Sequence, residues 1–292
     1  MDRVGLGWRQ ELAAGILSNL DRIDVIEVIA DDYFDSPKRE RALQTLAAQV
    51  PVVLHGISLG LASTAGIDRK RVAKMARLVE KIKPESWSEH LAFVRAGDIE
   101  IGHLAAMPRT ASSVDAASEN IDIARKMTGS APMVENIATL IDPPASAMAE
   151  PEWLSATIRA SGADLLLDLH NLYANALNFG IDRNDFLRRL PLDRVRAVHI
   201  SGGRMIDGPE EHRRLLDDHL HDPPDPVYDL LRDLASLCPN PLTVILERDG
   251  SYPAMSHLLQ QLDRARRAME EGREGAQERS EAREISGDLV HG

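Results

Sequence analysis

The chain contains very little cysteine, and this scarcity excludes several kinds of site. Cys238 is the only cysteine among the 292 residues. The chain can therefore form no intrachain disulfide and no metal site built from several thiolates. We interpret Cys238, which precedes Pro239, as a small buried hydrophobic residue. Iron–sulfur clusters are excluded for the same reason.

Long apolar runs and an excess of positive charge are also missing. No run of about 18 apolar residues occurs, and the first residues, MDRVGLGWRQE, contain no apolar segment of the kind found in signal peptides. The 34 basic residues are outnumbered by 46 acidic ones, for a net charge of -12. This charge repels phosphate groups and argues against binding to nucleic acid or to an anionic membrane. We expect a soluble, cytoplasmic protein.

Short apolar runs alternate with longer amphipathic stretches along the chain. The candidate strands are residues 3–7, 24–29, 51–55, 85–88, 131–135, 164–169, 194–200 and 242–247. The candidate helices are residues 9–20, 37–49, 68–83, 112–128, 150–160, 183–190, 225–237 and 253–269. Strict alternation requires parallel strands joined by helical crossovers, and eight such units close into a barrel. The sequence predicts an α/β protein with a (β/α)8 TIM barrel over residues 1–269; an open doubly wound sheet is the alternative.

Two polar stretches interrupt this alternation. Residues 201–226 form a long connection with three of the ten histidines, and long loops at the catalytic end of a barrel usually carry function. Residues 270–292 are mixed in charge and poor in aromatic side chains. We predict that residues 270–292 form a mobile polar tail or a frayed helix outside the barrel domain.

Side chains that can bind a metal ion lie at or just after the ends of most strands. They are Glu27, His55, Glu89 with His90, Glu135, Asp168 with His170, His199 and Glu247. The carboxyl ends of barrel strands converge on one cavity, and a buried cluster of carboxylates requires a cation. The sequence therefore predicts a metal site that includes His55, His90 and Glu135. Glu135 is predicted to bridge two ions, because this would satisfy both of its oxygens.

A second group of candidate ligands lies later in the chain. Asp168, His170 and Asn171 belong to the sequence DLHN, and His199 ends the next strand. Because side chains alternate along a strand, we expect Asp168 and His170 to share a face and Asn171 to turn inward at the strand end.

The long polar connection and the last strand complete the candidate site. The connection carries Asp217, His219 and His221 in a D-x-H-x-H pattern, and Glu247 and Asp249 follow the last strand. The predicted metal ligands are His55, His90, Glu135, Asp168, Asn171, His199, Asp217, His219, His221 and Glu247, and the predicted catalytic residues are His170 and Asp249. Imidazole and carboxylate ligands without thiolate suit iron, manganese or zinc, and this supply is enough for two or three ions.

Several stretches together resemble the multinuclear non-heme iron-dependent oxidase family, which includes the oxidase of methanobactin biosynthesis. The matching stretches are GLGWR, VVLHGISLGLAS, SEHLAF, VENIATL, LLLDLHNLYANALNFG, VHISGG, DDHLHDPPDPVYDLL and ILERD. They extend from Val4 to about Leu262 and cover essentially the whole predicted barrel.

The resemblance implies a xylose-isomerase-like barrel that holds two or three irons. Such an enzyme uses dioxygen to oxidise a residue, often cysteine, in a ribosomally made peptide. A small partner protein that presents the leader of the precursor peptide is also implied. By motif match the ligand set is His55, His90, Glu135, Asn171, His199, Asp217, His219 or His221, and Glu247.

The chain departs from the family pattern at three positions near the predicted cavity. Ile29 and Gly203 stand where relatives commonly carry histidine, and His170 stands where they often carry asparagine. Two other functions stay open on the sequence alone. One is a redox-neutral isomerase or phosphodiester hydrolase that uses zinc or manganese; the other is a metal-binding scaffold or chaperone without catalytic activity.

Overall fold

Eight parallel strands close into a barrel in the computed structural model of the chain, which describes residues 1–96, 99–207 and 213–288. In chain order the described strands are β1 Arg3–Gly7, β2 Val25–Ile29, β3 Val52–Gly56, β4 Trp87–His90, β5 Phe93–Ala96, β6 Ile99–Ala105, β7 Met133–Glu135, β8 Leu165–Asp168, β9 Val195–Ile200, β10 Gly203–Asp207, β11 Arg213–Asp217 and β12 Thr243–Leu246. The barrel order is β1-β2-β3-β4-β7-β8-β9-β12. The predicted barrel is confirmed and the open sheet is wrong, because β12 pairs with β1 from Arg3↔Thr243 to Leu6↔Leu246.

Helices connect the strands and cover the outside of the barrel. They are α1 Ala13–Leu17, α2 Pro37–Ala47, α3 Arg69–Ile82, α4 Ala111–Thr128, α5 Glu150–Ser161, α6 Leu169–Phe179, α7 Arg183–Arg188, α8 Asp225–Leu237 and α9 Met255–Asp288. Helix α3 shows why these segments are helical. The Asp68 side chain accepts hydrogen bonds from the first backbone amides, and apolar residues such as Val72 and Met75 recur on one buried face.

The alternation of side chains along the strands separates an outer core from the barrel interior. Outward residues such as Val4 and Leu6 pack in the main core between strands and helices. The inward residues form two small apolar clusters: Val25, Val53 and Ile245, and Met133, Leu166 and Ala197. Two positions further along the same six strands lie polar residues on the same inward face: Glu27, His55, Glu247, Glu135, Asp168 and His199. The strand period therefore places a polar layer directly above an apolar one.

Helix α6 was not predicted and corrects the interpretation of the DLHN motif. Strand β8 ends at Asp168, and α6 begins at the next residue. The Asp168 side chain caps α6 by accepting a 2.7 Å hydrogen bond from the backbone amide of Asn171. The expectation that Asp168 and His170 share a strand face is therefore wrong, because His170 and Asn171 lie in the first turn of a helix.

Two antiparallel hairpins, β5–β6 and β10–β11, were also not predicted. The second one occupies much of the polar connection 201–226, of which residues 208–212 lie outside the described part of the chain. Each hairpin follows a barrel strand that carries candidate ligands. The two hairpins flank the carboxyl end of the barrel. Leu104 of β6 and Leu216 of β11 line the same cavity there.

The last helix continues past the predicted domain boundary at residue 270. In α9, Gly272 packs so closely on α8 that a Cβ atom would lie 2.3 Å from the Arg232 carbonyl oxygen. The Arg273 guanidinium donates 2.9 Å hydrogen bonds to the Asp2 carboxylate. The mobility of residues 270–292 stays a prediction, and residues 289–292 lie outside the described chain. No helix among the described residues is long and apolar enough to cross a membrane.

Candidate metal centre

A cavity of about 740 Å³ opens at the carboxyl end of the barrel. Most of the predicted site residues line it: His55, His90, Glu135, Asn171, Asp217, His219, Glu247 and Asp249. Asp168, His170 and His199 are fully buried and are not part of its lining. His221 lies apart from the cavity, because its side chain is 48% exposed and contacts Asp218 at 2.9 Å. The structure thus brings together all predicted site residues except His221.

Glu135 connects two groups of candidate ligands through its two oxygens. Its Oε2 atom lies 3.5 Å from His55 Nε2 and 3.5 Å from His90 Nε2. Its Oε1 atom lies 3.1 Å from His199 Nδ1. A carboxylate that presents one oxygen to each of two imidazole groups has the geometry of a bridge between two metal ions. The bridging role of Glu135 stays a prediction, and the positions of its two oxygens fit it.

Glu247 connects the second group to a third through a single oxygen, Oε2. The second group consists of Glu135, Asp168, His199 and Glu247, and each offers a ligand atom within 4.8 Å of the others. Glu247 Oε2 lies 3.2 Å from His199 Nδ1 and 3.7 Å from His219 Nε2. His219 Nε2 is also 2.9 Å from Asp217 Oδ2. The arrangement offers three adjacent positions for metal ions, joined by two carboxylates.

Unpaired buried oxygens show that this cluster fits metal ions. Among the described residues, Glu135 Oε2, Asp168 Oδ2, Asn171 Oδ1 and Glu247 Oε2 are buried without a hydrogen-bond partner. Leaving one buried polar atom unpaired costs on the order of 1–3 kcal/mol, and more for a charged group. Four such oxygens in one cluster are tolerable when cations lie between them, because metal coordination replaces the missing hydrogen bonds.

The ligand atoms that face the cluster are held from behind by outer hydrogen bonds. Metal-binding histidines usually donate their second ring nitrogen to a fixed partner, which orients the ring. The outer contacts are His55 Nδ1 to Ser88 Oγ at 2.9 Å, His199 Nε2 to Glu27 Oε2 at 2.9 Å, His219 Nδ1 to Asp249 Oδ2 at 3.1 Å, and His170 Nδ1 to Asp217 Oδ1 at 2.8 Å. The residues predicted to be catalytic, His170 and Asp249, thus lie behind Asp217 and His219; their catalytic role stays a prediction.

Charges within the cluster move the pKa values of its members in opposite directions. Burial raises the pKa of Asp168 well above its ordinary value, and the nearby charges of Asp217 and Glu247 raise it further. Burial also acts to raise the pKa of Glu247, but the positive charges of His199 and His219 outweigh it and hold that pKa well below its ordinary value. The charged histidines therefore stabilise the ionised form of Glu247, whereas burial and the neighbouring carboxylates favour the protonated form of Asp168.

Metal binding should strengthen as the pH rises. Burial lowers the pKa of His90, but the nearby carboxylates of Glu135, Glu89 and Glu247 together outweigh burial and raise this pKa to about 9. At neutral pH the metal-free ring is protonated and must lose a proton to bind an ion. Below pH 9, the loss of this one proton from His90 should therefore raise the affinity for a metal ion at His90 by about tenfold per pH unit. Zinc titrations at about pH 6.5 and about pH 8.5, with released protons counted, measure this linkage; an affinity independent of pH would exclude His90 as a ligand.

Some residues of the centre were missed, and others were recognised but left out of the ligand set. Glu27 was noted as a strand-end carboxylate but not assigned, although it reaches His199. Ser88 was missed, although it lies two positions before His90 and so shares the inward face of β4. Asn136 was also missed; its side chain exchanges two hydrogen bonds with the backbone of Asp168, at 2.9 and 3.0 Å. Asn136 thereby ties the end of β7 to the end of β8.

The glycine at position 203 is explained by its neighbours. A Cβ atom on Gly203 would lie 2.1 Å from the Leu216 carbonyl oxygen and 2.8 Å from His170 Cε1. The His170 ring therefore occupies the space into which a side chain at 203 would extend. The Leu216 backbone and the His170 ring together therefore leave no room for a histidine at position 203.

Solved structures of similar fold include an epimerase, a xylose isomerase domain protein and an endonuclease. L-ribulose 3-epimerase aligns with a TM-score of 0.60 and 15% identity, covering 97% of this chain and 98% of the other. A xylose isomerase domain protein of Alicyclobacillus acidocaldarius aligns with a TM-score of 0.57 and 14% identity, covering 92% and 99%. Endonuclease IV of Thermus thermophilus aligns with a TM-score of 0.53 and 15% identity, covering 94% and 100%. The fold and the site together define a xylose-isomerase-like TIM barrel with a candidate metal centre.

Sequence comparison then identifies the family. The chain belongs to the family described as RiPP precursor modification enzyme MbnB/TglH/ChrH, whose model matches residues 3–270. A UPF0276 protein of Streptomyces avermitilis is 37% identical over 273 residues, which are 91% of this chain and 55% of the relative. A UPF0276 protein of Rhizorhabdus wittichii is 32% identical over 250 residues, 84% of this chain and 86% of the relative. The family inferred from the sequence motifs is confirmed; the chain spans about half the length of the Streptomyces relative.

Proposed function

We propose that this chain is a multinuclear non-heme iron oxidase that uses dioxygen to modify a residue, expected to be cysteine, of a ribosomally synthesised peptide. The observation that carries the proposal is the double role of Glu135 and Glu247. Each carboxylate faces two groups of ligands, which is the arrangement needed to hold several ions side by side. Membership of a family of precursor-modifying enzymes supports a peptide as the substrate.

The chemistry of the ligands favours iron at these positions. One ion would be held by His55, His90 and Glu135, a second by Glu135 with Asp168, His199 and Glu247, and a third by Asp217, His219 and Glu247. Imidazole and carboxylate groups without thiolate suit iron among the redox-active metals. When bound, iron would supply one-electron chemistry with dioxygen and a Lewis-acid position for a substrate thiolate.

The walls of the cavity determine what can reach the cluster. Ile29, Ile57 and Leu140 line it, so a peptide side chain would enter through largely apolar surroundings. Arg9 also lines the cavity, and its Nε atom donates a 2.8 Å hydrogen bond to Asp249 Oδ1. Asp249 in turn holds His219 through its other oxygen. Arg9 and Asp249 would therefore keep the His219 ring aimed at the cluster while a peptide occupies the cavity.

The partners follow from this proposal. The substrate would be a precursor peptide with a modifiable cysteine, and a small protein that binds the leader of this peptide would present it to the cavity. A short reading frame with a cysteine beside the gene for this chain would identify the candidate peptide. Co-purification with the product of a further neighbouring gene would identify the presenting protein.

Iron content and dioxygen uptake test the proposal. Protein purified without oxygen from iron-supplied cells should contain more than one iron per chain. It should consume dioxygen and change the mass of the cysteine-bearing precursor peptide, whereas the same peptide with serine in place of cysteine should stay unmodified. If zinc or manganese alone supports turnover and no dioxygen is consumed, the protein is instead a redox-neutral isomerase or hydrolase.

A further inference from the structure

Glu27 is a buried carboxylate that contacts the candidate metal centre from behind. It lies on the inward face of β2 and is 4% exposed. Its Oε2 atom lies 2.9 Å from Nε2 of His199, which belongs to β9. Strands β12 and β1 separate β2 from β9 around the barrel. The contact therefore crosses the interior of the barrel.

The two nitrogens of His199 face different surroundings. Nδ1 lies 3.1 Å from Glu135 Oε1 and 3.2 Å from Glu247 Oε2. Both of these carboxylates also have an unpaired buried oxygen, as expected of groups that surround a cation. Nε2 contacts only Glu27 among the described residues. A histidine that binds a metal with one nitrogen donates a hydrogen bond through the other, so Nδ1 is the nitrogen on the metal side.

A direct metal-binding role for Glu27 fits the geometry less well. An ion between Glu27, His55 and His199 would have three candidate ligands. His55, however, already uses both ring nitrogens, since Nδ1 contacts Ser88 at 2.9 Å and Nε2 faces Glu135 at 3.5 Å. Glu27 is also absent from the lining of the large cavity. It therefore lies outside the cluster that the other carboxylates surround.

We infer that Glu27 is a positioning residue that holds the His199 ring so that Nδ1, and not Nε2, binds the ion shared by Glu135 and Glu247. The inference rests on the metal centre of the proposed function and adds a residue that acts on it without touching substrate. In the absence of this carboxylate, Nε2 would lose the partner that fixes it, and the ring would be held less firmly in this orientation. The position that depends on His199 would then lose affinity for its ion.

A second cavity gives access to Glu27 from the opposite end of the barrel. This cavity has a volume of about 590 Å³, and Glu27, Val53, Ala197 and Ile245 line it together with Glu85. It contains none of the other candidate ligands. Truncating Glu27 would therefore leave a space next to His199 that a small carboxylate ion can reach without passing through the substrate cavity.

Zinc binding by three variants of the full chain tests this inference. Glu27→Ala should weaken one of the zinc positions by about 10–100-fold, the loss typical of an outer partner of a metal-binding histidine. Glu27→Gln should lose less zinc affinity than Glu27→Ala, because its amide oxygen still accepts a hydrogen bond from Nε2 of His199. Glu85→Ala is the matched control, since Glu85 lines the same cavity and pairs with Arg3 at 2.8 Å; its zinc affinity should equal that of the unchanged protein.

Two further measurements separate positioning from a general loss of structure. Added formate should restore zinc affinity to Glu27→Ala and leave Glu27→Gln unchanged, because only the alanine variant has a space for it. In the zinc-bound protein, long-range proton–nitrogen NMR should show the His199 proton on Nε2, with the signal assigned by its loss in His199→Asn.

The outcomes distinguish this inference from the proposed function. Unchanged zinc affinity in Glu27→Gln and Glu27→Ala, or a His199 proton on Nδ1, would overturn the role of Glu27 while leaving the metal centre intact. If Glu27→Ala does not fold, the zinc affinity of Glu27→Gln and the NMR spectrum of the unchanged protein still test whether Glu27 positions His199. A chain that binds no zinc and no iron at all would overturn the metal centre and this inference together.

Discussion

Replacing Glu135 with alanine should remove more than one equivalent of metal and nearly abolish turnover. Glu135 presents Oε2 to His55 and His90 and Oε1 to His199, so its loss takes a ligand from two positions at once. The remaining carboxylates, Asp168 and Glu247 among them, would then repel each other more strongly. We expect turnover to fall by more than the roughly 10–100-fold that follows loss of an outer partner of a metal ligand.

Elemental analysis and turnover measured on the same preparation check this expectation. Glu135→Gln keeps the shape of the side chain and removes its charge, so it should retain more metal than Glu135→Ala. Glu150→Gln is a control, because Glu150 is a glutamate outside the cluster, where burial raises its pKa to about 7. Full metal content and activity in Glu135→Ala would show that Glu135 does not bridge two ions.

Replacing His219 with alanine should lower turnover by about 100-fold, whereas replacing His221 should change it by less than about twofold. The two histidines are separated by one residue, but only His219 reaches the cluster, with Nε2 near Asp217 and Glu247. His221 is half-exposed and pairs with Asp218. His221→Ala is therefore a control from the same loop that tests whether the D-x-H-x-H spacing acts as a unit.

Backbone strain at His219 requires one more variant. His219 has a φ of 54°, a left-handed conformation that alanine adopts at a cost and glycine adopts freely. His219→Gly should lose as much turnover as His219→Ala, with a melting temperature close to that of the unchanged protein. A collapsed melting temperature with normal activity in the folded fraction would show that His219 is structural. Equal losses of turnover at positions 219 and 221 would assign metal binding to the whole loop.

The barrel and most of its polar layer could be predicted because they follow from local periodicity. Runs such as PVVLH and LTVILE show where strands end, and parallel strands in a barrel bring those ends together. Once the strands were placed, the period of two put His55, Glu135 and Glu247 on the inward face. Helix α6 could not be placed in this way, because leucine recurs on both sides of the junction in LLLDLHNLYANALNF and no glycine or proline marks the change from strand to helix.

The sequence by itself determined the supply of ligands: imidazole and carboxylate groups at strand ends, with no thiolate among them. Only the tertiary structure decided which atoms meet. In the folded chain His221 lies outside the cluster, Glu27 contacts Nε2 of His199 across the interior, and His170 packs against Gly203. Periodicity along one strand specifies the face on which a side chain lies. The contact between nitrogen and oxygen atoms depends on the closure of the whole barrel, because the strands involved are far apart in the chain.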